Sequence, residues 1–213
     1  SLGKLEQARQ AMQQSLNASP DPAISADAKT FLVMTSADPA VLTEAKPEIE
    51  QKLHEEPDYV PALMASAALH SQAGQEKEAI AGYQQALRRF PDFAIAQKQL
   101  ASFYLKDPNR IVEGYDLALK ARKTLPGDPI VAQILGELSY KRKEYARALQ
   151  LLQESRRSHP LDAEGLYYLG LSYKETKQPA AAKTALTEAL AAGLEAPLLA
   201  VAEQALAELK SQK

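Results

Sequence analysis

Four prolines, Pro57, Pro91, Pro126 and Pro160, lie 34, 35 and 34 residues apart and close successive copies of one pattern. An interval of that length holds two helices and two short turns. A period between about 20 and 50 residues marks a solenoid, whose units bury their apolar faces only by stacking on one another. A chain built this way is one continuous array, so its length does not divide into separate globular domains.

Composition agrees with helix throughout. Ala, Leu, Gln, Glu and Lys are abundant, and only nine of the 213 residues are Gly. Apolar residues make up 46% of the chain, enough for a core. Asp21-Pro22, Asp38-Pro39 and Asp128-Pro129 each set an N-cap acceptor before a proline at the first helical position. Turns of a few residues make successive helices antiparallel neighbours, and this punctuation predicts twelve helices.

Other features narrow the function. A net charge of −2 with 24% charged residues offers no electrostatic basis for capturing nucleic acid or an anionic membrane. The absence of cysteine removes disulfides, thiolate nucleophiles and zinc–thiolate sites, and suits a cytoplasmic or a periplasmic protein equally. No apolar run approaches the roughly 20 residues that span a bilayer. The start, Ser1-Leu2-Gly3-Lys4, has no signal-peptide apolar region. It enters a helix almost at once, as a piece of a longer chain would, which leaves a removed signal or anchor open.

The residues between the prolines carry a more specific pattern. In residues 163–196, Leu166, Leu169, Gly170 and Tyr173 share one helix, and Ala182, Leu186 and Ala189 the next. This resembles the tetratricopeptide repeat family, whose 34-residue unit places a large residue, Leu, Gly and Tyr on helix A and a small residue, an aromatic and Ala on helix B. The physical need is close approach: Gly170 and Ala182 let the paired helices near each other, while Leu166, Leu169 and Tyr173 fill the space beside them. Residues 129–162 match through Leu135-Gly136, Tyr145, Ala148 and Pro160. Residues 60–93 match through Leu63, Ala67, Ala79, Tyr83, Ala86 and Pro91, with His70 in the Tyr slot. Residues 94–128 match through Leu100, Ala101, Tyr104, Gly114, Ala118, Ala121 and Pro126, with one extra residue in the turn 106–109.

Residues 26–59 are a degenerate repeat. Leu32-Val33 stands where Leu-Gly belongs, and Pro47 falls inside the second helix, where it should kink or shorten it. Residues 1–20 read as a helix B without its helix A, with Ala8, Met12 and Ser15 preceding Pro20. A solenoid does not ordinarily begin on an open face, so the native protein is expected to extend upstream. Residues 197–213 resemble the solvating cap helix of such arrays, with Leu199, Ala202, Leu206 and Leu209 at helical spacing. The resemblance implies an all-α, right-handed superhelical solenoid of antiparallel helix pairs, with a concave face lined by the A helices.

Catalysis has little support. His54 and His159 end B helices of different repeats and His70 occupies a packing position, so packing or surface roles are the plainer reading. No Gly-rich phosphate loop, His-Glu-x-x-His or Gly-x-Ser-x-Gly sequence occurs. No enzyme activity, cofactor or metal is therefore expected. Glu44, Glu48, Glu50, Glu55, Glu56 and Asp58 form an acidic segment that reads as a solvated face or a docking surface.

A basic ladder is more unusual. Arg88-Arg89, Arg122-Lys123 and Arg156-Arg157 recur at intervals of 34. Each pair falls in the last turn of a helix B, where cations complement the helix dipole by about 0.3–1 kcal/mol. The alternative is a charged stripe that meets an acidic partner.

The resemblance also implies a partner site. Ligands of the family contact the second, fifth, ninth and twelfth positions of helix A. Here those include Met64, Ala68, Lys98, Ser102, Gln133, Glu137, Tyr140, Tyr167, Leu171 and Lys174. The family's chaperone-binding members clamp a terminal carboxylate with Lys and Asn; Met64 and Ala68 stand in the matching positions, so that clamp is absent. A mixed apolar and aromatic groove suits a peptide or helix of another protein, with Tyr140, Tyr167 and Tyr168 as anchors.

The expectation is a non-enzymatic scaffold or adaptor. Its Ala/Gln-rich repeats look bacterial, and such arrays serve envelope or secretion assemblies. Two rivals stand beside it: the interaction module of a larger enzyme, and a solenoid that self-assembles through the open face of its first helix.

Overall fold

The computed structural model describes residues 2–18 and 21–211; Pro20, expected to end the first helix, lies outside them, as do Ser1, Ser19, Gln212 and Lys213. Thirteen α-helices and one 3-10 turn account for most of the described residues, which include no strand. The chain forms two compact units, Ser1–Phe103 and Tyr104–Lys213.

The first unit contains α1 (Leu2–Asn17), α2 (Pro22–Met34), α3 (Pro39–Glu44), α4 (Lys46–Glu55), α5 (Val60–Gln72), α6 (Glu76–Arg89) and most of α7 (Ala94–Leu105). Its thirteenth-helix surplus over the expected twelve comes from Pro47. Proline has no amide hydrogen for the helical ladder but fits a first turn, where that hydrogen needs no partner. The predicted second helix of residues 26–59 accordingly stops at Ala45, whose amide donates to Val41 O at 3.1 Å, and restarts at Lys46 with Pro47 in its first turn. Met34, Leu42, Ile49, Ala62 and Ala65 form the core here. The α1 helix packs on α2, and Arg9 reaches across to donate to Leu32 O at 2.7 Å and Thr35 Oγ1 at 2.6 Å. Ala8, Met12 and Ser15 are half-buried, while Gln7, Gln10, Gln13 and Gln14 are exposed.

The second unit holds the 3-10 turn Pro108–Arg110, α8 (Ile111–Thr124), α9 (Pro129–Lys141), α10 (Tyr145–Ser158), α11 (Ala163–Glu175), α12 (Pro179–Ala191) and α13 (Leu198–Ser211). The one-residue insertion falls in the 3-10 turn: Asp107 accepts from the Asn109 amide at 2.9 Å. Asp128 and Asp162 cap α9 and α11, accepting from Ile130 N at 2.9 Å and Gly165 N at 2.8 Å.

Two helix pairs of the second unit set a glycine against a leucine. A Cβ at Gly136 would lie 2.8 Å from Leu152 Cγ, and one at Gly170 only 2.6 Å from Leu186 Cγ. Leu152 and Leu186 are both fully buried. Glycine is required at these positions because a leucine from the partner helix occupies the volume a methyl group would fill. In the first unit Ala67 takes the glycine's place, and Gly82 on α6 supplies the clearance instead, 2.9 Å from Ala67 Cβ for an added Cβ.

Candidate partner-binding surface

In the first unit, the inner-face positions remain open. Met64 and Ala68 on α5, and Lys98 and Ser102 on α7, are half-buried, while Leu63, Ala67, Leu100 and Ala101 between them are buried. The helical period therefore turns one stripe inward and leaves the next at the surface. Beside this stripe, the broken helix at Pro47 leaves a 290 Å³ cavity lined by Ile49, Leu69, Lys46, Glu50, Ser66 and His70. His70 Nδ1 lies 2.7 Å from Gln75 Oε1, so this histidine is held by the turn that follows it.

The second unit is different. Gln133, Glu137, Tyr167 and Leu171, expected at an open groove, are 8%, 2%, 5% and 6% exposed. The cause is side-chain volume. The α11 helix packs on α9 and receives α13 on another side, so large residues on facing A helices meet one another. Tyr168 lies 4.9 Å from Tyr167 and 5.4 Å from Tyr140, between ring centroids, and Tyr140 lies 5.2 Å from Tyr145. Of this aromatic cluster, Tyr140 and Tyr145 keep partial exposure. Lys174 is also committed, since its ammonium pairs with Glu208 on the final helix.

Beneath the tyrosines lies a buried polar network. The Gln133 amide donates to Glu137 Oε1 and to Asp162 Oδ1, each at 2.8 Å. Burial raises the Glu137 carboxyl to about 8, the Gln133 hydrogen bond opposes this, and Asp162 and Glu164 add to it. Glu137 is therefore largely protonated at neutral pH. Burial also raises the Tyr140 and Tyr168 hydroxyls well above the ordinary tyrosine value. The group of residues works as a filled core with an aromatic edge.

The basic ladder has a structural use that the sequence reading missed. Arg122 on α8 pairs with Glu154 on α10 at 2.5 Å, and Arg156 on α10 pairs with Glu188 on α12 at 2.8 Å. Each arginine thus ties its helix to the next repeat's helix B. The signal was present: Glu154 and Glu188 are themselves 34 residues apart. Lys123 and Arg157 are exposed, as are Arg88 and Arg89. The acidic segment is mostly engaged nearby: Glu48 accepts from Thr30, Glu55 from Gln51, Glu56 from Lys52 and Asp58 from Gln85. His54 and His159 are exposed on separate helix ends. Among the described residues no group of His, Asp and Glu is placed to hold a metal ion, and no helix is long and apolar enough to cross a membrane.

Comparison with known proteins gives a consistent result. The family model described as tetratricopeptide repeat matches residues 62–92 and 164–192. No curated protein matches the chain by sequence. Among solved structures, PilW, described as a widely conserved type IV pilus biogenesis factor, is 22% identical with a TM-score of 0.60, covering 91% of this chain and 93% of its own. MamA from Desulfovibrio magneticus RS-1 is 13% identical with a TM-score of 0.59, covering 89% of this chain and 94% of its own. The Cut9–Hcn1 structure from the anaphase-promoting complex is 18% identical with a TM-score of 0.61, covering 98% of this chain but 40% of its own. At these identities the likeness establishes the fold, an all-α solenoid of antiparallel helix pairs.

Proposed function

We propose that this chain, matched by the tetratricopeptide repeat model over residues 62–92 and 164–192, is a protein–protein interaction module, and in particular a scaffold or adaptor holding a peptide or helical segment of a partner on its A helices. One observation carries the reading. Met64, Lys98 and Ser102 stay half-exposed on helices whose neighbouring residues are buried, while Ala68 packs against the core of Met34, Leu42 and Ile49. A stripe of that mixed character suits side-chain packing with polar registration. In the second unit, taken by itself, Tyr140 is half-exposed at the edge of its aromatic cluster and offers a rigid anchor with little rotamer freedom to lose. The buried Gln133, Glu137, Tyr167 and Leu171 support the groove from beneath, and Lys174 holds the final helix, so the contact set is smaller than the repeat register implies.

The test is capture of partners by wild type, by Met64→Glu/Ser102→Glu and by Tyr140→Ala, with circular dichroism confirming equal helicity. A partner retained by wild type and lost by the variants supports the groove. Partners held equally by all three end this proposal. Tyr167→Ala is unsuitable, because removing a buried ring would unfold the site it is meant to probe.

We extend the reading to a bacterial envelope or secretion assembly. Support comes from the near end-to-end likeness to PilW, which is described as a pilus biogenesis factor. Fractionation of the tagged native protein tests this part separately, and an entirely soluble cytoplasmic distribution would end it.

A further inference from the structure

Away from the inner face, residues 60–93 carry a second surface on the side where B helices end. Phe90 directly follows α6 and is 58% exposed, although its counterpart in the next repeat, Leu125, is buried. It borders a 460 Å³ hollow lined by Val60, Pro61, Arg89, Pro91 and Phe93. An exposed aromatic beside an apolar hollow offers a partner side chain a place to bury apolar area. Arginine and aromatic residues are also the side chains enriched where proteins bind one another.

The charges beside the hollow point the same way. In the other two rungs of the basic ladder, Arg122 and Arg156 each have a carboxylate 32 residues further on, Glu154 and Glu188. At the same offset from Arg88 the sequence has Lys120. Arg88 and Arg89 are exposed and make no ion pair among the described residues. Of the two, Arg89 lines the hollow, and Arg88 precedes it on the last turn of α6. Asp92 is the nearby charge of opposite sign.

From this juxtaposition we propose that the Phe90 hollow, with Arg88 and Arg89, binds a partner-protein segment carrying a carboxylate next to an apolar side chain. The carboxylate pairs with the exposed Arg89 and Arg88 guanidinium groups, and the apolar side chain covers Phe90, Val60 and Pro61. The surface is concave and local, and the chain's net charge is −2, which favours one short segment over a membrane or nucleic acid, both of which need an extended basic face. It is independent of the inner-face groove.

The experiment is selection from a random-peptide phage library on the full chain, with counter-selection on Arg89→Glu/Phe90→Ser to discard peptides bound elsewhere. The expected peptides carry Asp or Glu within two residues of Leu, Ile, Phe or Tyr. By fluorescence anisotropy, a synthetic peptide of that sequence should bind at least tenfold more weakly to Phe90→Ser and to Arg88→Glu/Arg89→Glu. Substituting Lys for its acid should restore binding to the charge-reversed variant. All three positions are exposed, so circular dichroism should show unchanged helicity. No enrichment after counter-selection, or enriched peptides without acids, would overturn the proposal. So would a wild-type dimer in sedimentation that Phe90→Ser dissolves, or binding only to phosphatidylserine vesicles.

Discussion

At the scale of single residues, Gly170 shows how little room the fold leaves. An added Cβ would meet Leu186 Cγ at 2.6 Å and the Leu186 backbone nitrogen at 3.0 Å, whereas at Gly136 the near atoms all belong to the side chains of Leu152 and Leu151. Side chains yield more readily than backbone. Gly170→Ala should therefore destabilise by about 1–3 kcal/mol and more than Gly136→Ala, as measured by urea unfolding. Combining it with Leu186→Ala should give a strongly non-additive result, since both changes act on one volume. Glu137 makes a prediction of a different kind. Its carboxyl is raised to about 8 in the folded chain, above the ordinary carboxylate value of 4.5. The unfolded chain therefore loses this proton first as pH rises. Stability from this group is fully present below the unfolded value and falls through the window from 4.5 to about 8, by up to about 1.4 kcal/mol per pH unit. Urea midpoints at pH 5 and pH 9 should drop less for Glu137→Gln than for wild type.

Elements are held at their ends and across repeats. In the turns after α9 and α11, Lys143 and Lys177 adopt φ of 65° and 59°, where the turn after α5 has Gly74 at 70°. Each is the left-handed residue that lets the following amide reach back: Glu144 N to Ser139 O at 2.9 Å, Gln178 N to Tyr173 O at 2.9 Å. A side chain costs about 1–2 kcal/mol in that conformation. Lys143→Gly and Lys177→Gly should each raise Tm, because the relief exceeds the added freedom of the unfolded chain. The inter-repeat ion pairs are weaker devices. Arg156 and Glu188 are both more than a third exposed, so a double-mutant cycle should give a coupling of about 0.2–1 kcal/mol that shrinks with added salt.

At the scale of whole units, α13 covers a face of the second unit. Ala202, Ala205 and Leu209 of α13 join the core formed by α10, α11 and α12, and Glu208 holds Lys174. Removing residues 195–213 should expose that face, lower the unfolding midpoint and produce a concentration-dependent mass in light scattering. The same helix decides part of the function, since it helps to fill the inner face of the second unit. On the proposed reading, the contacts would be the half-exposed stripe of the first unit and, in the second unit by itself, Tyr140.

Much of this was legible in residue order. The proline interval, the Leu-Gly pairs and the Asp-Pro caps identify helix pairs, because helix periodicity, capping and turn preferences act within a few residues. Pro47 forecast an interrupted helix for the same local reason, although not its separation into two. What only the tertiary structure decided was which side chains stay in contact with water. Repeat position marks Met64 and Leu171 alike as inner-face residues, yet one is half-exposed and the other buried. The difference comes from the volumes that facing helices bring to the same place. Likewise Arg122 and Lys123 are neighbours in one rung of the basic ladder, yet Arg122 pairs with Glu154 while Lys123 stays exposed. Burial and pairing depend on neighbours distant in sequence, and a local pattern cannot set them.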